Sequence, residues 1–443
     1  MPERRLRALI VSYAFPPWGE VGALRILNFC RRLPQYGIDP VVLTVKEECL
    51  DVRDASIVLP ADLRIVRTGM VTNPLDWYRK VKPGASPIPN QQRAASVKLQ
   101  PASGLRRNVL AALHIPDRYW GWYWPALRAA NHLIQHEKID VLFSSGPPWI
   151  PHLIARRIKK KHGIPWLADF RDPWAKLSHG NVARPAWWNS LSEKMEENCV
   201  RDSDIVVCNT QRLRNGMRQA YAGVKPDKFR FLSNGYDDSV SLQASSKQLG
   251  TQKLLLHLGS LYGERRIDTF LSAFAKLLRS GRISPHSAKI LFQGDTDAKY
   301  IAEADSMVPD LMAEKSVEFR PRVRFQEAQQ LLRSSDLLLL FQGSHVLQLP
   351  AKFYEYLQTG IPIFAVCDEG ALSDVIEATQ SGLWAPAADE AKIAEKLTAA
   401  LQMPRRTPEE VKQTSAAYEY SSLARTLADW MRELEQEQPS GKN

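Results

Sequence analysis

Cysteine is scarce and poorly placed for cross-linking. The five residues, Cys30, Cys49, Cys199, Cys208 and Cys367, are odd in number and scattered, with no two at the spacing of a zinc or redox motif. This argues against a disulfide framework, fits a reducing cytoplasm, and reads each thiol as a small buried hydrophobe. Long apolar runs are also missing: nothing approaches the roughly 18 unbroken apolar residues of a spanning helix, and mean hydropathy is −0.31. The opening MPERRLR then ALIVSYAF has the outline of a signal peptide. Its apolar part is short, however, and runs into Pro16-Pro17-Trp18-Gly19 without a small-residue cleavage site, so it reads as a buried first strand. Metal-ligand patterns are lacking too. The nine histidines show no pair at ligand spacing, and His132 and His136 have no Glu of a zinc hydrolase between them. Asp202-Ser203-Asp204 and Asp295-Thr296-Asp297 imitate a D-x-D cation site without a supporting His or carboxylate cluster. No metal and no cofactor is expected.

What is present is an ordinary soluble composition of unusual asymmetry. The chain has 443 residues, 44% apolar and 24% charged, enough for two or three domains each with its own core. Net charge is +11, and residues 1–200 hold 29 Lys and Arg against 17 Asp and Glu, so the whole excess lies in the first half. Ten of the twelve tryptophans precede residue 200 as well. Basic charge with interfacial aromatics suits an anionic membrane surface. A nucleic acid would also fit the charge, but the basic residues form no recognised nucleic-acid module, and none is expected as a partner.

The hydropathy pattern alternates strand and helix. RALIVSY (7–13) reads as a strand, followed by a Pro/Gly break and a helical pattern at Leu24, Leu27, Phe29, Cys30 and Leu33, then a strand at 40–44. IDVLFSS (139–145), IPWLADF (164–170) and SDIVVCNT (203–210) give further strands, with a basic helix at 152–163. After the small, polar stretch 241–252 the rhythm restarts with LLLHLGSL (254–261) and continues through AKILFQGD (288–295), VEFRPRV (317–323), DLLLLF (336–341) and PIFAV (362–366). The expected fold class is α/β: two tandem Rossmann-like, doubly wound parallel-sheet domains facing across a cleft. The expected boundaries are 1–240, a linker at 241–252, 253–415, and a helix at 416–438 that returns to the first domain. Residues 73–113 form a basic excursion rich in Pro, Gly and Ser, and the tightly spaced aromatics Trp120, Trp122 and Trp124 follow it. With Arg79, Lys80, Lys82, Arg106 and Arg107 they are candidates for contact with an acceptor or a membrane; a mobile loop beside buried aromatics is the equal alternative.

Two strand-to-helix turns carry candidate chemistry. In PPWGEVG, Gly19 and Gly22 let the backbone approach a diphosphate at a helix amino terminus, although the pattern is neither G-x-G-x-x-G nor a P-loop. In the second, Gln348-Leu349-Pro350-Ala351-Lys352 opens a helix with Pro350 at its first position and Glu355 about one and a half turns on, placed to accept hydrogen bonds from sugar hydroxyls.

The stretch LPAKFYEYLQTGIP (349–362), the SNGYD turn (233–237), the FPPWGEVG opening (15–22) and the SSGPPWIPHLIA to GIPWLADFRDPW block (144–174) together resemble glycosyltransferase family 4. The resemblance runs in matching order along nearly the whole chain, with the bacterial branch that builds capsule, exopolysaccharide and lipopolysaccharide closest. It implies a GT-B fold, a nucleotide-sugar donor, retention of anomeric configuration and no metal. It further implies a lipid-linked or glycan acceptor and a cytoplasmic protein peripheral to the inner membrane face. By position, Glu355 resembles the second glutamate of the family's E-x7-E motif, which binds the nucleotide ribose. The first falls at Leu347, so backbone amides near Gln348 and Leu349 are the candidate substitutes. Where the family places diphosphate-neutralising cations, this chain has Ser260 and, later, Arg265 and Arg266. Where many members carry a His near the donor sugar, it has Arg171 followed by Asp172. Arginine stays protonated, so its role is to stabilise the leaving diphosphate rather than to act as a base. Arg171, Asp172 and Arg265 are the catalytic candidates, with Gly22, Arg266 and Lys352 completing the donor set. A non-catalytic sugar-nucleotide binder and a sugar-nucleotide 2-epimerase are the rival readings.

Overall fold

A computed structural model describes residues 4–19, 21–51, 53–54, 57–71, 108, 111–112, 114–178, 185–239, 252–263, 265–284 and 286–437. Arg79, Lys80, Lys82, Arg106 and Arg107, with nearly all of the expected excursion and linker, lie outside them. The chain divides into one unit of residues 1–233 and 420–443 and another of 234–419. The first division falls at Ser233, before the expected boundary at 240.

In the first unit, β1 (Leu6–Val11), α1 (Val21–Arg32), β2 (Ile38–Val45) and β3 (Arg64–Thr68) precede α2 (Tyr123–His136), β4 (Val141–Gly146) and α3 (Ile150–His162). Then come β5 (Trp166–Phe170), α4 (Ala186–Asp202), β6 (Ile205–Cys208), α5 (Gln211–Ala220) and β7 (Phe229–Phe231). The seven strands lie in the order β3-β2-β1-β4-β5-β6-β7, every pair parallel. Strands covered on both faces need apolar side chains on both, and so β4, β5 and β6 are buried throughout and read as continuous rather than alternating runs.

In the second unit, β8 (Lys253–Leu258), α6 (Ile267–Arg279), β9 (Ala288–Gln293), α7 (Ala298–Met307), α8 (Pro309–Ala313) and β10 (Val317–Arg320) form one half. The other half is α9 (Phe325–Ser334), β11 (Leu337–Phe341), α10 (Ala351–Leu357), β12 (Ile363–Val366), α11 (Ala371–Thr379), β13 (Gly382–Ala385), α12 (Glu390–Ala400) and α13 (Pro408–Ser415). Its parallel sheet runs β10-β9-β8-β11-β12-β13. Helix α6 buries Ile267, Phe270, Leu271, Phe274 and Leu278, the i, i+3, i+4 stripe of a helix laid on a sheet. The strand expected over 317–323 stops at Arg320, before Pro321, which cannot donate to a ladder.

Both sheets are doubly wound, and each has one point where strand order reverses: between β1 and β4 in the first, between β8 and β11 in the second. Neighbouring connections leave in opposite directions there, which opens a crevice at the carboxyl ends of the strands.

The C-terminal helix, Tyr420–Gln436, completes the core of the first unit. It buries Tyr420, Leu423, Leu427, Met431 and Leu434 along one stripe, and its apolar face packs with Phe29, Leu33 and Ile38. Tyr420 meets Phe29 edge-on at 5.7 Å, and Arg230 holds Glu433. Leu427 is fully buried, so Leu427→Ala should destabilise the first unit by about 2–5 kcal/mol through lost burial and a residual cavity, read as a lower urea midpoint.

Candidate functional site

At the first switch point the chain places a buried ion pair. Arg25 of α1 and Asp169 of β5 are both buried and meet at 2.8 Å. Asp169 also accepts from Ser145 Oγ at 2.7 Å, while Arg25 donates to the carbonyls of Leu232 (3.0 Å) and Ser233 (2.5 Å). One side chain thus ties the first helix to β5 and to the segment after β7. The expected apolar stripe of α1 is corrected here: Leu24 is exposed, and Arg25 turns inward because Asp169 and two carbonyls satisfy its donors.

Arg171 follows β5 in the same crevice. Its main-chain N–H and its Nε donate to the Gly146 carbonyl (3.0 and 3.2 Å), and Nη2 donates to that of Pro147. The guanidinium lies so close to Gly22 that a Cβ there would overlap it. Two expected site residues are therefore brought together, and Gly22 is required by an arginine. Asp172 occupies the same turn, half-buried. The amino terminus of α3 is already occupied: half-buried Asp117 accepts from the amides of Trp149 (2.6 Å) and Ile150 (3.1 Å), as well as Tyr119. Burial pushes its carboxyl up to about 6 against those bonds.

The second switch point gathers the other candidates. The β8–β11 ladder ends at Leu256 and Leu338. At the next residue the imidazole of His257 bonds the Leu339 carbonyl through Nδ1 at 3.0 Å. A side chain takes over where the strands part. Gly259 follows with φ +155°, a conformation that favours glycine, and His257 Nε2 and the Lys352 side chain lie 3.8 and 3.9 Å from where its Cβ would stand. Lys352 Nζ pairs with Glu355 at 2.8 Å. Arg265 folds back to the Ser260 carbonyl and covers the Tyr262 ring at 4.3 Å, so its charge reaches the position its spacing in sequence had displaced. Tyr356 Oη accepts from the Leu258 amide at 2.8 Å and fixes α10 against β8.

Several expected residues are placed otherwise. Arg266 is spent on Asp268, at 2.8 Å, in the first turn of α6. The Gln348 amide donates to His345 within its own turn, and the Leu349 side chain is buried in the core under α10. Pro350 is the residue before the first helical position rather than that position itself. Trp122 is fully buried with its Nε1 on Thr68 Oγ1 at 2.8 Å, and Trp120 is part-buried against the core; only Trp124 is exposed. Asp202 pairs with Arg156 and Lys160, and Asp204 with Lys159. Among the described residues no three His, Cys, Asp or Glu come together as metal ligands.

Four polar residues of these crevices escaped sequence reasoning: Arg25, Asp117, His257 and Gln342. Gln342 ends β11 and donates to the carbonyls of His345 (2.7 Å) and Gln348 (2.8 Å), which folds the loop before α10. The available signal was a polar residue inside an apolar run, as in LLLHL and GALRIL.

Solved structures share this fold along the whole chain. Sucrose-phosphate synthase from Thermosynechococcus elongatus superposes with a TM-score of 0.67 at 13% identity over 97% of this chain and 99% of its own. The lipopolysaccharide outer core galactosyltransferase WaaB in its apo form gives 0.61 at 12% over 96% and 100%. Anabaena Alr3699/HepE in complex with UDP-glucose gives 0.54 at 14% over 98% and 98%. Two doubly wound sheets in this order are the GT-B class of glycosyltransferase fold. No curated protein matches in sequence. The family described as Glycosyltransferase Family 4 matches residues 23–240, and Glycosyl transferases group 1 matches 252–403. The chain belongs to glycosyltransferase family 4 and is a glycosyltransferase.

Two predictions follow from the buried polar groups. Asp169→Ala leaves the Arg25 charge buried without its partner and should cost about 3–5 kcal/mol in denaturant unfolding. Burial pushes the His257 imidazole down to about 3; the charges of Arg265 and Lys352 act in the same direction and the Leu339 carbonyl opposes them. Its folded value lies below the unfolded one, so the unfolded chain binds the extra proton, and stability present above pH ~6.5 is lost as pH falls toward 3. His257→Gln can keep the bond to Leu339 without titrating. Urea unfolding at pH 7 and pH 5 should show a smaller acid loss in that variant.

Proposed function

We propose that this glycosyltransferase moves a sugar, with retention of configuration, from a nucleoside-diphosphate donor to a lipid-linked or polysaccharide acceptor in bacterial cell-surface glycan synthesis. It works at the inner face of the cytoplasmic membrane and without a metal ion. The observation that carries this reading is the gathering of Arg265, Lys352 and Glu355 around Gly259 at the β8–β11 switch point. Two cations that no buried carboxylate among the described residues neutralises suit a diphosphate, and a carboxylate one turn along the same helix suits sugar or ribose hydroxyls. The relatives support the donor class, since Alr3699/HepE is seen with UDP and with UDP-glucose.

In the mechanism we favour, the second unit binds the donor and the first the acceptor. Arg265 and Lys352 take up charge as the bond from the anomeric carbon to the diphosphate breaks. The departing phosphate oxygen accepts the acceptor's proton on the face it leaves, so no carboxylate base is needed. Glu355 exchanges its pairing with Lys352 for hydrogen bonds to the nucleotide, and Lys352 is freed for phosphate.

A panel of nucleotide sugars should raise the melting temperature selectively, with the true donor giving the largest shift. Release of nucleoside diphosphate should fall about 10- to 100-fold in kcat/KM for Glu355→Gln, the worth of a charge-assisted hydrogen bond, and about 100-fold or more for Arg265→Ala. Full activity in both variants sinks the site. Donor binding with neither transfer nor hydrolysis by the parent chain favours a non-catalytic partner subunit.

A further inference from the structure

Outside both crevices, helices α2, α3 and α4 enclose a groove of about 510 Å³ on the flank of the first unit. One wall is basic: Arg156, Arg157 and Lys160 project from α3. Arg156 and Lys160 share one carboxylate, Asp202, at 2.6 and 3.0 Å. Arg157 is exposed and has no hydrogen-bond or ion-pair partner among the described residues. Three cations thus stand against one acid. The nearby Glu197 of α4 is itself paired, with Arg201 at 2.8 Å.

The other wall is apolar and unusually open. Trp124 is 62% exposed, and its ring meets that of Tyr123 edge-on at 5.1 Å. Leu153 and Met195 also line the groove. On α4 the residues Trp187, Leu191 and Met195 recur every four positions, which places them on one helical face. Trp187, whose N–H donates to Asn108 at 3.1 Å, and Leu191 are 40% and 38% exposed, so an apolar stripe runs along the helix into the groove. Isolated exposed hydrophobics are ordinary, but a continuous stripe ending at an unpaired arginine marks a surface built for an amphiphile.

We infer that this face seats an anionic phospholipid of the bilayer, its phosphate between Arg157 and Lys160 and its glycerol and acyl portion along Trp124 and the α4 stripe. The chemistry selects the occupant: excess positive charge answers a phosphodiester, and an exposed indole beside leucine and methionine answers the interfacial depth at which a headgroup meets its chains. A soluble nucleotide or inorganic phosphate would engage only the basic wall and leave the apolar stripe in water. This inference deepens the membrane part of the reading above and rests on it for the setting in which the enzyme works.

The full chain should co-sediment with phosphatidylcholine vesicles containing phosphatidylglycerol, and weakly or not at all with phosphatidylcholine alone. Partition should weaken about fivefold for each cation neutralised in Arg157→Gln and Lys160→Gln, the cost of about 1 kcal/mol per charge near an anionic surface. It should weaken again in Trp124→Ala, and fall with added salt. The inference is overturned by partition that is unchanged in the Arg157→Gln/Lys160→Gln pair and in Trp124→Ala. It is overturned equally if inorganic phosphate or an RNA oligomer binds this face while the anionic vesicles do not. Release of nucleoside diphosphate is measured without vesicles, so the donor reading and the lipid surface can fail separately.

Discussion

A parallel sheet wound in both directions must let two neighbouring strands part, and the polar backbone groups exposed where they do must be satisfied without water. That constraint organises each unit. In the second, the His257 imidazole takes the Leu339 carbonyl at the point where the β8–β11 ladder stops. In the first, Arg25 and Asp169 span α1, β5 and the segment after β7. The His257 device exchanges a ladder hydrogen bond for a side-chain one, and the Arg25 device satisfies two main-chain carbonyls and a buried carboxylate together. An unpaired buried group would cost about 1–3 kcal/mol, more for a charge, so the crevice exists only because these residues close its floor.

On those floors the cations are held by weak partners. Arg171 rests on the carbonyls of Gly146 and Pro147, Arg265 on that of Ser260, and Lys352 on the half-exposed Glu355. Among the described residues neither Arg265 nor Lys352 is paired with a buried carboxylate, in contrast with Arg25. A guanidinium on neutral carbonyls keeps its full charge for an incoming anion, whereas one paired to a buried acid has spent it. Among these side chains the contrast is clearest between Arg25, tied to a buried acid, and Arg265, held by a carbonyl. Arg266, spent on Asp268 at the start of α6, falls on the structural side despite standing next to Arg265.

The alternation of apolar runs made both sheets legible from sequence because strands buried on two faces cannot hide among polar residues. Short strands at the sheet margins, β3 and β13, were not, since RIVRT and GLWA are brief and mostly part-buried and so show no sustained buried run. The LPAKFYEY stretch singled out Lys352 and Glu355 through its helix pattern together with the family resemblance, and the fold sets the two side chains against each other at 2.8 Å. Arg265 was legible as a charge but not as a position, because the loop that folds it back to Ser260 is set by Tyr300, whose hydroxyl takes the Arg265 amide at 3.0 Å from a distant helix. His257 and Arg25 interrupt apolar runs visibly, yet their purpose depends on Leu339 and Asp169, partners 82 and 144 residues away. Sequence shows that such a residue is out of place; only the fold shows what it is for.

The tryptophan excess of the first half resolves along the same line. Trp122 and Trp166 are fully buried with their N–H groups on Thr68 and Ser144, and Trp149 stacks on Trp174 at 5.1 Å. They are large core fillers whose one polar atom found a partner, or a neighbour to lie against, and they say nothing about a membrane. Trp124 differs in degree, and Trp187, 40% exposed with its N–H on Asn108 at 3.1 Å, stands between. An indole left 62% exposed forgoes a large share of the hydrophobic stabilisation its area could supply. A fold that seats so many other tryptophans inside and leaves Trp124 on the wall of a groove lined by Arg156, Arg157 and Lys160 bears that cost at the place where the proposed phospholipid would cover the ring.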